Sequence, residues 1–108
     1  MGTLRATQFC DVVITGPGPV ALFTVPAGHR YILRSINMYN PEGTVNGLTV
    51  TIGTSPTIAS QSMPVAGGIG NPYNLQPWIV LNPGQTINGW ANSGKHGHFI
   101  LSGSDLFI

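Results

Sequence analysis

The side chains able to do chemistry are few, and their spacing is poor for it. His96-Gly97-His98 is the sharpest pattern. On a strand, residues two apart share a face, so both imidazoles would point the same way. A metal site can use such a pair when a Glu and a more distant His complete the ligand set. Here no acidic residue lies nearby, and His29 follows Pro26-Ala27-Gly28, which reads as a turn. The acids are only Asp11, Glu42 and Asp105. General acid–base or glycosidic chemistry needs two positioned carboxylates. Glu42 sits in Pro41-Glu42-Gly43 and Asp105 ends Ser102-Gly103-Ser104-Asp105, so both are expected as solvated turn residues. Ser60, Ser62 and Ser102 lack the nucleophile-elbow motif of a Ser-His-Asp hydrolase. Cys10 is the single cysteine, so an intrachain disulfide is excluded. It is expected as a small buried apolar residue. Gly67-Gly68-Ile69-Gly70 lacks the Lys-Ser/Thr of a phosphate-binding loop. The expectation is a protein that is not an enzyme and holds no metal or cofactor.

The elements that would carry these residues read as strands and turns. Fifteen glycines and nine prolines punctuate the 108 residues at short intervals. Between them lie runs rich in Val, Ile, Thr, Tyr and Phe, which suit a pleated, half-buried surface. No dozen-residue window keeps a helical period free of breakers, so essentially no helix is expected. Strands are expected at 3–8, 11–15, 20–25, 30–40, 48–52, 57–65, 78–82, 85–91, 98–101 and 105–108. Leu48, Val50 and Ile52 alternate with Thr49 and Thr51, the pattern of one dry and one wet face. Pro26-Ala27-Gly28 fits the middle of a type II turn, and residues 66–72 read as a glycine-rich loop. Val25-Pro26-Ala27-Gly28 is echoed by Leu81-Asn82-Pro83-Gly84, each leading into a new strand. The expected fold is all-β: one domain over residues 1–108, an antiparallel, jelly-roll-like β-sandwich of about eight short strands. An immunoglobulin-like sandwich is the alternative.

Only seven residues are charged, 6% of the chain, against about 25% in ordinary soluble domains. The net charge of +1 leaves no electrostatic footprint for nucleic acid or an anionic membrane. No apolar run reaches the length of a membrane helix, and the N-terminus shows no basic region followed by an apolar run. So little charge gives an isolated monomer weak colloidal repulsion, which matters less to a chain covered by neighbours. Trp78-Ile79-Val80-Leu81 and Phe99-Ile100-Leu101 are apolar on both faces. One face can fill a core; the other calls for a partner. Trp78 is expected in the core by default, with Trp90 evenly placed between packing and anchoring a contact. Leu106-Phe107-Ile108 is expected either to pair in a sheet or to lie between subunits. The interface candidates are Tyr73, Trp78, Trp90, Leu106, Phe107 and Ile108.

Two phrases carry a resemblance. Thr24-Val25-Pro26-Ala27-Gly28-His29-Arg30-Tyr31-Ile32-Leu33-Arg34-Ser35-Ile36, with Asn37 and Asn40, is one. Leu81-Asn82-Pro83-Gly84-Gln85-Thr86-Ile87-Asn88-Gly89-Trp90-Ala91-Asn92 is the other. They resemble small jelly-roll-like accessory proteins of tailed-bacteriophage virions, over residues 24–40 and 81–92. The resemblance transfers no catalytic residue. It implies a virion protein made in the host cytoplasm, a homo-oligomer with a trimer favoured. The implied partners are the major capsid protein, for a decoration or cement protein, or tail proteins, for a tail or head-fibre accessory. A carbohydrate- or receptor-binding module using Tyr73, Trp78 or Trp90 is the rival expectation.

Overall fold

A computed structural model describes residues 4–41, 46–53, 57–63 and 73–107. They form nine strands and no helix. These are β1 (Leu4–Thr15), β2 (Val20–Thr24), β3 (His29–Tyr39), β4 (Asn46–Ile52), β5 (Thr57–Met63), β6 (Tyr73–Leu75), β7 (Ile79–Leu81), β8 (Thr86–Ala91) and β9 (His96–Phe107). One sheet runs β1-β9-β3-β6, with β7 also paired to β3; the other runs β2-β8-β4-β5. Every strand ladder is antiparallel. Because β6 and β7 share one edge of β3, they act as two halves of one strand. The chain then alternates between the sheets, except that β4 and β5 follow one another in the same sheet, as in a jelly roll.

The two proline–glycine corners explain part of this order. Pro26–Gly28 carries the chain from β2 in one sheet to β3 in the other. His29 N–H donates to Pro26 O at 3.2 Å, and Gly28 takes φ +82°, as a type II turn demands. Asn82–Gln85 makes the reverse crossing from β7 to β8, closed by Gln85 N–H to Asn82 O at 3.1 Å. The two corners are bonded to each other. Val25 N–H donates to Gln85 O and Gly84 N–H donates to Val25 O, both at 2.9 Å. The echoed phrases in the sequence are thus paired crossings at one end of the sandwich.

The core lies between the sheets. Leu33, Ile36, Met38, Phe99 and Leu101 from one sheet meet Leu48, Val50, Ile87 and Ala91 from the other, all at 0% exposure. Each large side chain so buried contributes about 1.5–3 kcal/mol relative to exposure. Asn40, Asn46, Ser104 and Asp105 are the buried polar residues among those described, and Asn46 is at 0% exposure. Asn46 Nδ2 donates to His96 O at 2.6 Å, and its Oδ1 accepts from Asn92 N–H at 3.2 Å. It thereby ties the start of β4 to the turn between β8 and β9. Both polar ends are satisfied, which makes the burial tolerable.

Several expectations are corrected. The strands are not uniformly short: β1, β3 and β9 have 12, 11 and 12 residues. Residues expected as two strands before Thr15 are one strand with a register shift between Gln8 and Cys10. The extra residue of a bulge bends a strand without ending it. Ser102-Gly103-Ser104-Asp105 is the middle of β9 and not a turn, and His29 begins β3. β6 had no expected strand, because three residues of strand in the four between Pro72 and Pro77 give too short a pattern. The glycine-rich loop expected at 66–72 lies outside the described residues, as do Glu42 and Ile108.

Candidate functional site

The histidines and carboxylates come together in pairs. On the outer face of the five-stranded sheet, His98 Nε2 hydrogen-bonds Asp11 Oδ1, and Tyr39 meets the His98 ring edge-on at 5.4 Å between centroids. His96 lies on the same face, as the alternate spacing implies. At the other end, Asp105 is 4% exposed. Its Oδ1 accepts from His29 Nδ1 at 2.8 Å, and Arg5 lies 3.8 Å from its Oδ2. This corrects the expectation of a solvated turn aspartate. A carboxylate this deep is retained only with such partners. Phe107 covers the pair, its ring centroid 4.4 Å from that of His29 and 4.8 Å from the Arg5 guanidinium carbon. Burial, then the Asp105 charge, holds the neighbouring Tyr31 phenol above its ordinary range, with Arg5 opposing.

The geometry keeps these pairs apart. His29 pairs with Phe107 at one end of β3 and Tyr39 with His98 at the other. Ten residues of strand separate them, about 30 Å. His29 therefore does not complete a ligand set with His96 and His98. Among the described residues no group of three His, Cys, Asp or Glu is placed to hold a metal. Cys10 is half-buried, and burial pushes its thiol up from 9.0 to about 11. A nucleophilic cysteine needs the opposite shift. What both Asp–His pairs do is staple neighbouring strands: β1 to β9 at one end, β3 to β9 at the other.

The aromatic candidates do not form a platform either. Tyr73 is half-buried and packs on the core. Trp90 is 43% exposed on the outer face of the four-stranded sheet, opposite Thr49. Trp78 is 67% exposed beside β7 on the outer face of the five-stranded sheet, which overturns its default placement in the core. Strand alternation explains this, since Ile79 and Leu81 turn inward and Trp78 and Val80 turn out. Leu106 and Phe107 both pair in the sheet. Leu106 faces outward between Leu4 and Arg30, while Phe107 turns toward His29.

The outer face of the five-stranded sheet is where exposed apolar side chains gather. Register sets them in adjoining rows. Leu4, Leu106 and Arg30 form one row; Ala6, Ser104, Ile32 and Val80 form the next. Arg34, at the irregularity between Leu33 and Ser35, lies over the Trp78 ring at 4.6 Å. Leu4 is 58% exposed and Val80 48%. Leu4, Ile32 and Val80 were absent from the interface candidates read from sequence. They sit on strands far apart in the chain, and only the pairing register joins them. Among the described residues, the opposite outer face presents Thr24, Thr86, Asn88, Thr49 and Thr51, together with Ala21 and Trp90.

No family model matches the chain, and no curated protein matches it. Among solved structures it is similar to a chain of infectious bursal disease virus, Gx strain, with TM-score 0.46 and 12% identity. A chain of the Gt strain gives TM-score 0.41 and 11% identity. The matches cover 98% and 97% of this chain, which spans 32%, about a third, of each viral chain.

Proposed function

We propose that the chain is a non-enzymatic structural protein of a bacteriophage particle. The form that fits best is a capsid decoration or cement protein, bound to the assembled shell as an oligomer, with a trimer favoured. The carrying observation is the outer face of the five-stranded sheet, where Leu4, Trp78 and Val80 are exposed beside the half-buried Ile32 and Leu106. Contiguous exposed apolar area of this kind marks a protein contact. The shortage of charge and the phage-like phrases at residues 24–40 and 81–92 point the same way. A tail or head-fibre accessory would use the same face. The carbohydrate-binding alternative loses ground because Tyr73, Trp78 and Trp90 occupy the core edge and two opposite faces. A sugar platform needs its aromatics on one side.

The test is reconstitution. Particles assembled from the genome that encodes this chain, but with its reading frame deleted, are mixed with purified protein. Binding should saturate at a fixed copy number set by the particle's symmetry. Decorated shells should also withstand a higher temperature than bare ones, because a ligand that binds only the intact shell stabilises it. A monomer that leaves the bare particles unbound would contradict the proposal.

A further inference from the structure

We propose that the Leu4–Trp78 end of this outer face docks an apolar protein surface rimmed by carboxylates, with Arg30 and Arg34 reading that rim. The inference rests on the particle-protein reading and names the chemistry of the partner.

Charge distribution carries it. Of four basic residues in the chain, Arg5, Arg30 and Arg34 lie at this end of the sheet. No described carboxylate stands on the outer face at this end, where Arg5 is already 3.8 Å from the inward-turned Asp105. Asp105 is buried beneath the sheet against His29. Asp11 shares the face but sits beside His98, opposite Ile100, six residues of β9 from Leu106, or about 20 Å. The two outer arginines meet neutral groups. Arg30 donates its Nε–H to Asn82 Oδ1 at 3.1 Å, and Arg34 lies over Trp78. A guanidinium carries five N–H donors in a planar fork that fits a carboxylate with two parallel hydrogen bonds. Resting one fork on an indole and the other on an amide fixes their planes before any partner arrives.

The same distribution selects among occupants. A second copy docked face to face through a two-fold axis would set Arg30 and Arg34 against their own counterparts, and like charges across an interface are strongly disfavoured. A phosphate backbone would satisfy the arginines but leave Leu4, Ile32 and Val80 against a charged, hydrated surface. An apolar surface with acidic edges satisfies both.

The experiment uses reading-frame-deleted particles as the probe and co-sedimentation as the readout. Wild type, R30E/R34E, R30K/R34K and W78A are compared at low and high salt. Thermal melting and light scattering verify fold and oligomeric state. R30E/R34E should bind roughly tenfold more weakly or worse, and its binding should no longer weaken as salt is raised. R30K/R34K should fall between, because lysine keeps the charge and loses the fork. W78A should weaken binding without changing the oligomer. Wild-type affinity in R30E/R34E overturns the inference and leaves the particle reading standing. A changed oligomeric state in W78A or R30E/R34E also overturns it, placing the face between copies. Arginine-dependent retention of a short DNA or RNA oligonucleotide would overturn it in favour of nucleic acid. Failure of wild type to bind the particles removes the reading and the inference together.

Discussion

Gly103→Ala is expected to destabilise the protein by about 3 kcal/mol or more, the upper range for overpacking. Gly103 lies in β9, paired with Thr7 of β1 on one side and Leu33 of β3 on the other. Beside Leu33 the register of β3 slips by one residue. The irregular β3 backbone comes so close that a Cβ on residue 103 would lie 1.9 Å from Ile32 O and 3.0 Å from Arg34 N. These are backbone atoms, so no rotamer change relieves the clash. Either β9 moves away from β3 or the bulge is lost, and both break ladder bonds in the middle of the sheet. A domain of this size loses roughly 5 °C in Tm per kcal/mol, so the midpoint should fall by about 15 °C. Thermal and urea unfolding measure it. A melt within about 2 °C of wild type would show that the strands do not approach as described.

Phe99→Ala is expected to cost about 4 kcal/mol, within the range for emptying a fully buried phenylalanine site. Phe99 is 0% exposed on the central strand β9, between Val12 of β1 and Met38 of β3. Its ring fills space left open by two glycines from different strands. A Cβ on Gly97 would stand 3.0 Å from Phe99 Cε1, and one on Gly89, across the sandwich, 3.1 Å from the same atom. Neighbouring glycines have no side chains with which to refill the void, so little of the cavity should collapse. Phe99→Leu should recover part of the loss. The check is urea unfolding with the slope compared as well as the midpoint. A loss below about 1 kcal/mol would mean that the ring is not the centre of the core.

These two residues also show what the sequence reveals and what it hides. Phe99 was legible as a core candidate, because Phe99 and Leu101 alternate within a β-rich run. Leu48, Val50 and Ile52 were legible for the same reason, and the first two are fully buried. Local alternation reports which side of a strand is dry. The jelly roll followed from strand number and the absence of helical periodicity. Gly103 was misread as part of a turn because glycine and serine cluster at turns. Its real role is set by a bulge on another strand about seventy positions away, and no local window contains that. Asp105 was misread for the same reason. An acid after Ser-Gly-Ser suggests water, and only the pairing of β9 with β1 and β3 brings Arg5 and His29 to it.

The candidate surface was half legible. Trp78 and Leu106 stood out as large apolar residues in suspect places. That they share one face, together with Leu4, Ile32 and Val80, depends on the registers of four strands. Trp90 and Tyr73 looked equivalent to Trp78 by residue type, yet the fold sends them elsewhere. Two arginines within the phage-like phrase, Arg30 and Arg34, were counted only toward a small net charge. Their meaning changes once they are seen beside an apolar row, far from Asp11 and on the opposite face from the buried Asp105.

Hydroxyl-radical footprinting of the chain, free and then mixed with the reading-frame-deleted particles, tests most directly whether the outer face of the five-stranded sheet is the contact. Oxidation of Trp78 should drop to a small fraction of its free rate on binding, and Leu4 and Val80 should be shielded with it. Equal oxidation of Trp78 in the free and particle-bound protein would contradict the assignment of that face.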